Sequence, residues 1–312
     1  MPAKQKIIPN LWFDHGQVED AAMFYLSVFE HSRIGNVARA SNVGYEITGI
    51  PAGDALNVEL EIEGHKFIGI NGGPQFKFNP SISFLVTCYT RDEVDRIWSR
   101  LSVGGSPLMD IGEYPYSERY GWMQDKYGVS WQIMAMPNFV PTQKIIPTLM
   151  FTGPQAGNAE TAVNFYSGIF HRSNTGEIMR YEKGEAHDKE GTIKHAAFTL
   201  EGQEFAAMDS AYPHAFTFNE AVSLMITCGT QKDIDYYWHH LTDGGEEGVC
   251  GWLKDKFGVS WQIAPDILGR MLRDPDPKKV ERVTAAFLKM KKFDIAALKR
   301  AYRGELVRPG PK

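Results

Sequence analysis

The sequence predicts an α+β fold of two tandem domains, each made of two βαβββ modules, with a C-terminal helical extension. Three observations predict it: long segments recur once, apolar spacing within each copy alternates between strand and helix, and a basic helical stretch follows the second copy. "KIIPNLWF" (6–13) returns as "KIIPTLMF" (144–151), "FYLSVF" (24–29) as "FYSGIF" (165–170), and "EGHKF" (63–67) as "EGQEF" (201–205). "FNPSISFLVTC" (78–88) matches "FNEAVSLMITC" (218–228), and "KYGVSWQI" (126–133) matches "KFGVSWQI" (256–263). The offset falls from about 140 to 130 because copy 1 carries about ten extra residues within 106–120. Copy 1 therefore spans 1–137, a Pro-bearing linker 138–143, copy 2 144–265 and the tail 266–312.

Each element follows from local pattern. Residues 6–13 read as a strand, and Val18, Ala21, Ala22, Tyr25, Val28 and Phe29 then fall at helical spacing, a stripe repeated from Ala159 to Phe170. Residues 56–62 and 65–70 read as strands joined at Gly64. "SISFLVTC" is the strand before a capping box, Thr90 to Glu93, and Gly104 with Gly105 end the helix that follows. Asp125 and Gly128 suit the first and fourth positions of the closing turn, a role that explains Asp125 and Asp255. On the last strand Ser130, Gln132 and Met134 face one way and Trp131 the other, so Trp131 and Trp261 read as core. In the tail, Asp276 with Pro277 starts one helix, and a second runs from Asp294 to Gly304.

Bulk composition narrows the function classes. With 43% hydrophobic and 23% charged residues the chain is globular. No apolar run long enough to span a membrane and no signal-peptide core is visible, which points to a cytoplasmic protein. Cys88, Cys228 and Cys250 form neither a disulfide framework nor a metal spacing. The tail carries 13 basic and 6 acidic residues, leaving 20 basic and 32 acidic for the rest. Its apolar spacing favours docking on that acidic body over nucleic acid as partner.

The motifs carry a resemblance. Paired βαβββ modules with "FY" in the first helix and "GG" after the second are similar to the vicinal oxygen chelate superfamily of glyoxalases and bleomycin-resistance proteins. "IPNLWF", "GHKFIGINGGPQFKFN", "EVDRIW" and "GWMQDKYGVSWQI" resemble its PhnB-like branch, which bears the name 3-demethylubiquinone-9 3-methyltransferase domain. The resemblance covers about 260 of the 312 residues. It implies glyoxalase-like domains whose curved half-barrel sheets form cups, and a fused version of a homodimer, hence a monomeric pseudo-dimer or a homodimer. It also implies four metal ligands of His, Glu or Gln type. The matching positions here are Asn10, Ser83 and Gln132 in copy 1, and Thr148, Ser223 and Gln262 in copy 2, with the fourth near Glu59 and Ala197. Amides, hydroxyls and at most one carboxylate are poor ligands for zinc, nickel or iron, so no metal and no cofactor are expected.

The resulting expectation is metal-free binding of a small molecule in one or two cups. Asn10, Trp12, Ser83 and Gln132 would line one, with Trp12 against Met150 giving the cups different shapes. His195, at the position of Asn57, is a lone acid/base candidate. Two alternatives are a metal-dependent glyoxalase or resistance-type enzyme and a structural pseudo-dimer recruiting a partner through its tail. The glycine pairs 72–73, 104–105 and 244–245 do not make the strand-to-helix turn that cradles a methyl-donor nucleotide.

Overall fold

The computed structural model describes residues 5–14, 16–40, 43, 45–137 and 142–305. Most of the expected linker, and tail residues 306–312, lie outside the described residues. The first module comprises β1 (Ile7–Phe13), α1 (Gln17–Val28), β2 (Ser32–Arg39), the short α2 (Tyr45–Thr48), β3 (Ala55–Ile62) and β4 (His65–Asn71). The second runs β5 (Ile82–Cys88), α3 (Arg91–Leu101), β6 (Ser106–Tyr114), β7 (Ser117–Gln124) and β8 (Ser130–Ala135). The third runs β9 (Ile145–Thr152), α4 (Ala159–Ile169), β10 (Asn174–Arg180), β11 (Ile193–Leu200) and β12 (Gln203–Ser210). The fourth runs β13 (Val222–Cys228), α5 (Gln231–Leu241), β14 (Glu246–Glu247), β15 (Trp252–Lys254) and β16 (Ser260–Pro265).

The four modules pair across the repeat. One eight-stranded sheet has the order β14-β15-β16-β13-β1-β4-β3-β2, and the other β10-β11-β12-β9-β5-β8-β7-β6. The first sheet joins the first and fourth modules, and the second joins the two middle ones. At each centre two strands from different copies run antiparallel, with Asn10 opposite Ser223 and Ser83 opposite Thr148. The join is repeated by symmetry in the loops: the Asn79 amide donates to the Thr217 carbonyl (3.0 Å) and the Asn219 amide to the Lys77 carbonyl (2.9 Å).

Strand alternation gives each sheet one apolar face, covered by helices, and one outward face. The apolar faces meet in a single core, where Phe67 of one sheet packs edge-on to Phe84 of the other and Trp131 lies against Phe29. Trp131 and Trp261 are fully buried in it. Helix starts follow the sequence with one difference. Thr90 caps α3 by accepting from the Glu93 N–H (3.1 Å), but the Glu93 carboxylate goes to the N–H of Tyr89 and to Lys144 instead of closing a box. The reciprocal box forms only in copy 2, between Thr230 and Asp233.

The tail folds as α6 (Asp266–Met271), α7 (Pro277–Phe287) and α8 (Ile295–Arg303), of which the spacing reads the last two. It packs on the first sheet, burying Val283, Phe293 and Leu298. The N–H groups of Cys250 and Gly251 donate to the carbonyls of Met290 and Lys291 (both 2.7 Å). Lys291 and Lys292 pair with Glu247 and Asp235 of the acidic body. Among the described residues no helix is long and apolar enough to cross a membrane.

Candidate functional site

Because the sheets are shared between copies, the candidate residues regroup. Asn10, Trp12 and Glu59 stand on the outward face of the first sheet with Ser223 and Gln262 of copy 2. Ser83 and Gln132 stand on the second sheet with Thr148 and Met150. Asn10 and Trp12 therefore do not share a cup with Ser83 and Gln132, as a reading of each copy by itself expects. His195 lies on β11 of the second sheet; burial pulls its pKa below the usual histidine range, and Glu177 opposes this.

The second sheet satisfies its own polar groups. The Gln132 amide donates to Ser83 Oγ (2.8 Å) and its carbonyl oxygen accepts from the Tyr120 hydroxyl (2.8 Å). Trp122 Nε1 donates to Ser130 Oγ (2.8 Å). Tyr120 is held by Tyr114 and Tyr116, which the extra residues of copy 1 supply on the β6–β7 hairpin.

The first sheet is open. A cavity of about 530 Å³ lies between its outward face and α6, a size suited to a small organic ligand. Its floor is aliphatic, with Ile8, Ile68, Met225 and Ala264 from four strands and Leu268 and Leu272 from the tail. Charged side chains ring it. Arg33 pairs with Glu61 (2.6 Å), and the tail's Arg273 reaches Glu59 (3.2 Å), whose other oxygen accepts from the Asn36 amide (2.7 Å). Sequence reasoning finds Glu59 but misses Ile8, Met225 and the tail residues. Only the charge contrast between tail and body hinted at their approach.

The metal-ligand pattern of the fold does not fit either face. Asn10, Ser223 and Gln262 are neutral, and the one carboxylate among the four, Glu59, is engaged by Arg273 and Asn36. Among the described residues no three His, Cys, Asp or Glu side chains come together as a metal site.

Asp125 and Asp255 do more than shape turns. Each is buried at the foot of a helix–sheet contact. Asp125 accepts from the Tyr25 hydroxyl (2.8 Å), Trp131 Nε1 (2.9 Å) and the N–H groups of Tyr127 and Val129 (2.9 and 3.1 Å). Asp255 repeats this with Tyr166, Trp261, Phe257 and Val259. Burial raises both carboxyls, Asp255 to about 6, and pushes the Tyr25 and Tyr166 hydroxyls well above the usual tyrosine range. They are structural cross-links, remote from the cavity.

Comparison with known proteins agrees with this architecture. The sequence pattern of the 3-demethylubiquinone-9 3-methyltransferase family matches residues 5–134 and again 143–264. The PhnB protein from Bacillus cereus is 34% identical over 42% of this chain and 100% of its own, with a TM-score of 0.39. A Pseudomonas aeruginosa protein is 19% identical over 42% of this chain and 98% of its own, with a TM-score of 0.36. Glyoxalase I from Zea mays is 12% identical over 82% of this chain and 92% of its own, with a TM-score of 0.50, a likeness of fold alone. No curated protein matches the sequence.

Proposed function

The chain belongs to the 3-demethylubiquinone-9 3-methyltransferase family, and from that premise we propose that it binds a small organic molecule, without a metal, in the cavity of its first sheet. The observation that carries this reading is the cavity itself: about 530 Å³, aliphatic beneath and charged at the rim, with its wall completed by the tail. Cavities of that size and lining bury most of a small ligand, leaving a few polar groups to orient it. The metal-free part rests on the neutral Asn10, Ser223 and Gln262, which offer no thiolate, imidazole or unengaged carboxylate.

Methyl transfer has less support than the family name suggests. Gly104 and Gly244 take positive φ (76° and 73°) just past the ends of α3 and α5, and a Cβ on Gly72 would meet the Trp12 ring at 2.0 Å. These glycines serve helix ends and close packing, not a nucleotide.

The test is to denature protein purified from cells and identify the molecules released by mass spectrometry, beside a Met225→Trp variant that fills the cavity floor. A compound recovered from the wild type and missing from the variant is the expected result. Equal recovery from both would remove the cavity from the account.

A further inference from the structure

The charges that line the cavity do not balance row by row across the sheet. On β4, His65, Phe67 and Gly69 point into the core, so Lys66 and Ile68 stand on the outward face, and both line the cavity. Glu61 of β3 lies opposite Lys66, and Arg33 of β2 lies opposite Glu61. This row holds two cations and one carboxylate, and the carboxylate goes to Arg33 (2.6 Å). Lys66 makes no ion pair among the described residues. The other carboxylates of the lining face elsewhere. Glu59 is held by Arg273 and Asn36. Asp266 lies past the end of β13, with its Oδ2 4.0 Å from where a Cβ on Gly229 would stand.

The repeat provides an internal comparison. "EGHKF" and "EGQEF" align Lys66 with Glu204, and the ladders agree, since Glu204 lies opposite Thr199 as Lys66 lies opposite Glu61. The second sheet therefore has the opposite charge at this place, and Glu204 there accepts from the Thr142 hydroxyl. From Lys66 the outward row continues through Ile8 of β1 to Met225 of β13, which face each other on the cavity floor.

We propose that Lys66 is the head-group site of this cavity and that the ligand is an organic carboxylate with an apolar body. The body lies along Ile8 and Met225, and the carboxylate accepts from the Lys66 ammonium. The apolar stem of Lys66 extends the floor and leaves its charge at the rim. A cationic head would meet a like charge that no carboxylate offsets, and an uncharged head would gain no charge-assisted bond. The equivalent place on the second sheet is acidic, so the chain has one such site. This rests on the cavity being the binding site.

Octanoate, octanol and octylammonium share a chain and differ in the head, and NMR titration into the full chain compares them. Octanoate should bind about 10-fold more tightly than octanol, the worth of a hydrogen bond to a charged group, and octylammonium more weakly than both. Lys66→Met, which keeps an apolar stem, should bring octanoate down to the affinity of octanol and leave octanol unchanged. Lys66→Glu should reverse the order in favour of octylammonium. Glu204→Met on the other sheet should alter none of the three. Lys66 is exposed, and circular dichroism confirms that each variant folds. The proposal is overturned if octanoate binds the wild type no better than octanol, or if Lys66→Met keeps the full preference. In either case, loss of binding in Met225→Trp shows that the cavity reading survives without this head-group assignment. Binding unchanged in Met225→Trp defeats both.

Discussion

At the scale of single residues, the buried Asp–Tyr–Trp cross-links are the clearest departure from what spacing reveals. The turn role of Asp125 and Asp255 is legible because it depends on neighbours in sequence. The bonds to Tyr25 and Tyr166 are not, since they close over 100 and 89 residues. A pH dependence follows. Burial raises Asp255 to about 6 from its ordinary 3.8, so its contribution to stability is greatest below that ordinary value and is lost as pH rises through the folded one. At about 1.4 kcal/mol per unit the loss is roughly 3 kcal/mol. Urea denaturation of the wild type and Asp255→Asn between pH 4 and 7 isolates it. The difference should move against the wild type as pH rises and flatten above 6. Movement toward the wild type would show that its four donors outweigh burial.

Among the elements, the tail helices are readable one by one, while their seat is not. Asp276 accepts from the Lys278 N–H, Asp294 from the Ala297 N–H, and Gly304 closes α8 with φ 76°, all local features. The seat is made by Gly251, where a Cβ would stand 2.5 Å from the Phe293 ring and 2.7 Å from the Ile263 carbonyl. Gly251 also has φ +81°. Gly251→Ala should therefore cost about 1–3 kcal/mol in backbone strain and lift the tail from the sheet, exposing it to protease. Gly258 is the control: it has φ +88° but nothing within 4 Å, so Gly258→Ala incurs strain without displacing the tail. Limited proteolysis that cuts both variants alike at the tail would contradict this seat.

Over the whole molecule, the repeat announces four modules but conceals how they pair. "KIIPNLWF" can in principle pair with "SISFLVTC" of its own copy or "AVSLMITC" of the other, because duplication makes the two strands nearly equivalent. The choice is tertiary, and it decides the site: it brings Asn10 to Ser223 and Gln262 and leaves Ser83 with Thr148. A chain cut to residues 1–137 keeps β1 on β4 and β5 on β8 but loses β13 and β9, the strands that flank them across the join. Two exposed central strands are unstable in water, so this fragment should pair with itself. Sedimentation should find a homodimer, whereas a folded monomer would mean that the copies can close alone.

The central claim is that one organic molecule, and no metal, occupies the first sheet. Native mass spectrometry of the full chain, purified without chelator, tests it in one spectrum. The expected result is the polypeptide plus a single organic molecule, with the added mass absent from Met225→Trp. A bare polypeptide, or an added mass equal to a transition-metal ion, would contradict the account.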